Sequence, residues 1–241
     1  MSTFKQEIDT MKRCRSPYIV DIVAASNEES DEQKLVLEYM DCGDLRSYLD
    51  AKQNGEKTKM ELTSLEVAWV VANALLDFHD NDIVLGNLST ENILLSTTHY
   101  IKVMIPRSAH LIPIDMDKDT TTSRYCHQAT DIYLFGNLLQ ELGLFENSHQ
   151  YFTISIVKRI MQMIVHRGYQ TRLKKLTADC SSKNPNDRPS TQTLVNILQA
   201  LVKAHHFGEK DRNTCKIHIP LWFIILTILI LMYAMQNQYI Q

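Results

Sequence analysis

The stretch Asp82-Ile-Val-Leu-Gly-Asn-Leu-Ser-Thr-Glu-Asn-Ile-Leu-Leu95 sets a short apolar run, a polar loop ending in Glu91-Asn92, and a second apolar run, Ile93 to Leu95, in direct succession. The frame is that of a loop held between two buried segments. Its centre, Leu85-Gly86-Asn87, carries no acid. Any chemistry that needs a carboxylate at that point is therefore without its reagent.

Upstream of this loop, Ser64 to His79 repeats apolar residues three and four apart, the spacing of a helix with a buried face. A shorter helix is expected from Leu45 to Leu49 after Gly43-Asp44, and another from Phe4 to Arg15, ended by Ser16-Pro17. Between these, Tyr18 to Ala25 and Lys34 to Met40 are β-rich runs joined by an acidic turn, which predicts a hairpin. Downstream the pattern is mostly helical, with helices expected over Asp131 to Leu144, Ile154 to Val165, Gln170 to Cys180 and Ser190 to Ala204. Asn184 to Pro189 reads as the turn that introduces the last of them.

Composition narrows the function classes. With 241 residues, 44% hydrophobic and 22% charged, the chain is long and apolar enough for one large folded unit. A net charge of −3 without a basic stripe implies no nucleic-acid partner. The five cysteines, Cys14, Cys42, Cys126, Cys180 and Cys215, form no C-x-x-C pair, which argues against a disulfide framework or a zinc site and for a reducing compartment. Met1 to Arg15 is too polar for a signal peptide. Ile219 to Met235 is uncharged and apolar on every face, with Trp222 and Tyr233 near its ends. As a helix it reaches about 25 Å, just under the ~30 Å hydrocarbon core, so it is expected to cross a membrane with help from its flanks or from local thinning.

Taken in order, these pieces resemble the protein kinase family over residues 4 to 203. E-I-D-T-M-K-R-C-R-S-P-Y-I-V is similar to the helix C region, with Glu7 at the ion-pairing position. L-V-L-E-Y-M-D-C-G-D-L resembles the hinge, with Leu37 as gatekeeper and the Glu38 and Met40 backbone groups where adenine would bind. D-I-Y-L-F-G, Asp131 to Gly136, resembles the start of the central helix of the large lobe, and Cys180 with N-P-N-D-R-P-S the equivalent run of tyrosine-kinase-like members. The resemblance implies an α+β protein-kinase-like fold. A partial small lobe would occupy residues 1–40, a mostly helical large lobe 41–203, a linker 204–218, a transmembrane helix 219–235 and a short tail 236–241.

The same resemblance shows which reagents are missing. Asn87 stands at the catalytic base, Leu85 and Gly86 replace the His and Arg before it, and Ile105, Pro106 and Arg107 stand in place of D-F-G. Phosphoryl transfer relies on that base, on the metal carboxylate and on a phosphate clamp. Asn92 is the one retained metal candidate, and a loop-bracing hydrogen bond accounts for it better, because a lone amide is a poor magnesium ligand. Asp115, Asp117 and Asp119 sit in a polar run expected to be a solvated loop. Thr120 to Ser123 are phosphorylatable, but Gly86 removes the arginine that would dock such a phosphate. With no A-P-E glutamate, Arg188 needs another acceptor or must face water. Asp131 is expected to anchor the catalytic loop.

No strand Lys or Gly-rich loop is available, so Glu7 is expected to be an exposed helix carboxylate and the small lobe to be a truncated remnant with an open sheet edge. The expectation is a pseudokinase scaffold or regulator in signalling, without cofactor. It would be a single-pass membrane protein with a cytosolic kinase-like domain and a protein partner, for which an active kinase is one candidate. The alternative is a fragment of an active Ser/Thr or Tyr protein kinase using ATP and magnesium.

Overall fold

The computed structural model describes residues 3–26, 33–106, 109–111, 120–146 and 171–214. The expected helix at Ile154 to Val165, the acids Asp115, Asp117 and Asp119, and the apolar run Ile219 to Met235 lie outside the described residues. Two units divide at Val202 and Lys203, and the fold described below belongs to the first.

The chain opens with α1, Thr3–Arg13, followed by the antiparallel pair β1, Ile22–Ser26, and β2, Lys34–Leu37. Ile8 and Met11 of α1 are buried, one helical turn apart. The hairpin is shorter than its β-rich sequence suggests because both flanks are used elsewhere. Val20 donates its amide to Val103 at 3.0 Å and Val103 donates back to Tyr18 at 2.8 Å, so the segment before β1 pairs with a strand of the large lobe. Beyond Leu37 the chain leaves the hairpin, and Cys42 and Leu95 exchange bonds with the opposite strand through Cys42 N to Leu95 O and Leu95 N to Gly43 O. Leu35 and Leu37 turn toward the core, whereas Val23 and Val36 remain exposed.

α2, Leu45–Gln53, starts at Asp44, whose carboxylate accepts the Ser47 amide at 2.8 Å as an N-cap. α3, Ser64–Asp80, starts with a capping box in which Thr63 and Glu66 satisfy each other's amides. It is buried nearly all round, from Leu65 through Val71 and Leu75 to Phe78, and forms the centre of the core. Next come β3, Ile83–Val84, a 3-10 turn at Thr90–Asn92, and the hairpin of β4, Ile93–Ser96, with β5, Tyr100–Val103. β6, His110–Leu111, closes a two-residue ladder on β3.

α4, Thr120–Glu146, lays Ile132, Phe135, Leu138 and Leu142 into the core. It begins eleven residues before the expected start at Asp131, so the end of the polar run read as loop is helical. Polarity alone does not stop a helix, and no Gly or Pro interrupts the sequence between Pro113 and Gly136. α5 covers residues 171–180, a second 3-10 turn Pro185–Asp187, and α6 Thr191–Thr214, ten residues past its expected end at Ala204.

Gly136 marks where α4 meets the end of α5. A Cβ built there would lie 2.9 Å from the Cys180 Cβ and 2.8 Å from the Ser181 Oγ. Helix propensity alone would favour alanine at this position by about 1 kcal/mol. Overpacking against the fixed Cys180 Cβ costs roughly 1–3 kcal/mol, and this term should win. Gly136→Ala is accordingly expected to lower the urea midpoint; a raised midpoint would show that α4 and α5 separate freely.

Candidate functional site

The loop from Leu85 to Asn92 is held from beneath by one carboxylate. Asp131, fully buried on α4, accepts the Leu85 amide at 3.0 Å on Oδ2 and the Gly86 amide at 2.9 Å on Oδ1. His79 at the end of α3 places Nε2 3.0 Å from the same Oδ2, and the Gln128 amide reaches the His79 carbonyl at 3.3 Å. A carboxylate can accept from several donors at once, so one buried acid ties two helices to the loop. Gly86 needs its lack of a Cβ here, since its φ is +68°. Leu85 is fully buried in the core, where it fills an apolar position.

Asn87 is exposed, and its carbonyl accepts the Asn92 Nδ2 at 3.0 Å. Asn92 also donates its own amide to Ser89 and accepts from Met104 at 2.8 Å. It therefore ties the loop to the end of β5. Ile105, in the position of the metal-holding acid, is 5% exposed and belongs to the core, and Pro106 is buried beside it in a turn closed by the Ala109 amide. These residues fit magnesium poorly: Asn92 donates through Nδ2 and offers only the neutral oxygen Oδ1, and the Ile105 position is hydrocarbon. Among the described residues, no group of three or more His, Cys, Asp or Glu side chains is arranged to hold a metal ion.

The hinge is tied down by its side chains. Glu38 accepts from Lys102 Nζ at 2.5 Å and from the Asp21 amide at 2.7 Å, with His99 Nδ1 3.7 Å from its other oxygen, and its own amide donates to Asp21. Burial pushes the Glu38 carboxyl up, but the Lys102 and Asp21 hydrogen bonds and the Lys102 and His99 charges outweigh it and leave it below the usual carboxylate value. Met40 is buried, and its carbonyl accepts the Gly43 amide. Asp41 accepts from Ser96 Oγ, the Thr97 amide and Thr97 Oγ1 at 2.7–2.9 Å, bonds that hold its carboxyl well below the carboxylate range. This hinge clamp is not visible in the sequence, because its partners are 55 and 56 residues away. Tyr39, between the two clamped residues, is 81% exposed.

Arg188 meets the need for an acceptor with main-chain oxygens. Its Nη1 donates to Ala129 at 2.8 Å and its Nε to Ser182 at 3.0 Å, while the guanidinium lies 5.1 Å from the Tyr133 ring. It thus fastens the turn before α6 to the start of the buried part of α4. Glu7, expected to be exposed, is half-buried on α1.

Comparison with known proteins agrees with this geometry. The family model for protein tyrosine and serine/threonine kinases matches residues 1–106. The leaf rust 10 disease-resistance locus receptor-like protein kinase-like 1.3 of Arabidopsis thaliana is 24% identical over 86% of this chain and 36% of its own length. A probable serine/threonine-protein kinase of Dictyostelium discoideum is 25% identical over 81% of this chain and 35% of its own. Serine/threonine-protein kinase 12 of Arabidopsis thaliana is 24% identical over 86% of this chain and 49% of its own. The first 106 residues are thus similar to the protein kinase family, and the chain spans half or less of the length of these relatives.

Proposed function

We propose that the chain is a pseudokinase, a kinase-like domain that acts in signalling as a scaffold or regulator and binds a protein partner, for which an active kinase is one candidate. The observation that carries this reading is Ile105, buried at 5% exposure where a kinase holds its metal carboxylate, together with the amide Asn87 at the base position. An isoleucine packed into the core is not a ligand waiting for a metal. The alternative, a piece of an active kinase, draws support from the short share of its relatives that the chain covers. Upstream strands would supply a phosphate loop and a lysine but would leave Asn87 and Ile105 unchanged. Phosphoryl transfer from ATP decides between them, and the full chain is expected to show none.

Membrane attachment through Ile219 to Met235 forms part of the proposal. Among the described residues no helix is long and apolar enough to cross a membrane, and this run lies beyond them. What supports it is the uncharged sequence itself, with Lys203, Lys210, Arg212 and Lys216 before it, basic residues that favour a cytosolic N-terminal side. In carbonate-washed membranes the full chain should pellet and a chain lacking residues 219–241 should not. Recovery of the full chain in the supernatant would remove the anchor from the account.

A further inference from the structure

Ser16 follows α1 in the loop that joins the helix to the rest of the fold. Its hydroxyl donates to the Asp77 carboxylate on α3, sixty-one residues away, and accepts the Tyr18 amide at 3.1 Å, while its carbonyl accepts the Ile19 amide at 3.2 Å. This one side chain therefore links the end of α1 to the central helix. The surroundings are acidic. Burial first, then the charges of Asp77 and Asp80, push the neighbouring Cys14 thiol up to about 12.

The loop is also reachable. Ser16 is half-buried between exposed Arg15 and Pro17, and the segment from Cys14 to Asp21 lines an open cleft of about 300 Å³. Proline biases the residue before it toward extended backbone, and the turn closed by the Ile19 amide on the Ser16 carbonyl opens for Ser16 to enter a kinase site. The chain's six prolines follow Ser16, Ile105, Ile112, Asn184, Arg188 and Ile219, so Ser16-Pro17 is its single hydroxyl–proline step.

We propose that Ser16 is a phosphorylation site for a proline-directed protein kinase, and that phosphate there releases α1 and the β1–β2 hairpin from α3. In the transfer, Ser16 Oγ forms a bond to the γ-phosphorus of ATP, the bond from that phosphorus to the β–γ bridging oxygen breaks, ADP departs, and the hydroxyl proton passes to the base of the modifying kinase. The phosphoserine has lost the hydroxyl proton that bound Asp77 and carries about −1.5 to −2 charges, so attraction becomes like-charge repulsion. This inference stands independently of whether the chain itself has catalytic activity.

The test incubates the full chain with ATP and a purified proline-directed kinase already shown active on a standard substrate, maps phosphate by mass spectrometry and follows hydrogen exchange. Phosphate is expected at Ser16, to be absent from Ser16→Ala, and to be lost from Pro17→Ala, which keeps the hydroxyl and its bond to Asp77. In the phosphorylated chain, exchange over residues 3–26 should rise about tenfold or more while residues 131–142 stay unchanged. No phosphate at Ser16, or phosphate there with unchanged exchange over residues 3–26, overturns the proposal.

Discussion

Asp131→Ala is expected to destabilise the fold by about 3–5 kcal/mol, the cost of removing one partner from a buried charged network. The substitution leaves the Leu85 and Gly86 amides and the His79 ring facing a void, and each buried donor without an acceptor carries a desolvation penalty of roughly 1–3 kcal/mol. The comparison variant is Asp44→Ala, which removes an N-cap at the edge of the structure and should cost about 1 kcal/mol. Urea unfolding of the two variants separates buried anchoring from ordinary capping. Should Asp131→Ala cost no more than Asp44→Ala, the loop is held by its apolar residues Leu85 and Leu88 rather than by the carboxylate.

That anchor was expected from the family resemblance of D-I-Y-L-F-G, since Asp131 lies 45 and 46 residues from the amides it accepts and no spacing rule joins them. D-I-Y-L-F-G fixes Asp131 on a helix, and the apolar frame around Leu85 to Leu95 fixes the loop it serves. The hinge clamp was hidden. Asp41 and Glu38 find Ser96, Thr97 and Lys102 only once β4 and β5 are folded beside them, and no spacing rule connects residues that far apart. α4 runs longer than its apolar pattern suggests, because helices end at breakers and caps rather than at polarity. The start of α3 at Ser64 agrees with the expected one, and the T-x-x-E capping box at Thr63 and Glu66 gives its physical reason. The acceptors of Arg188 are main-chain carbonyls, which no side-chain pattern can reveal.

The second large effect expected is an absence of phosphoryl transfer. General-base assistance alone is worth roughly 10²–10⁴-fold, and an exposed amide at position 87 cannot take a proton from a substrate hydroxyl as a carboxylate does. Electrostatic stabilisation by metal and phosphate clamps is usually the larger contribution, and buried Ile105 offers no oxygen for it. Asn87→Asp by itself is therefore expected to restore nothing, since it returns the base without the metal site.

The most direct measurement uses the purified full chain in detergent, with γ-labelled ATP, magnesium or manganese, and a generic protein substrate. The expected result is no label on the chain or the substrate above that of a heat-denatured sample, with or without Asn87→Asp. Incorporation by the native chain that disappears in Asn92→Ala would contradict the pseudokinase reading, because it would show the loop between Leu85 and Asn92 transferring phosphate.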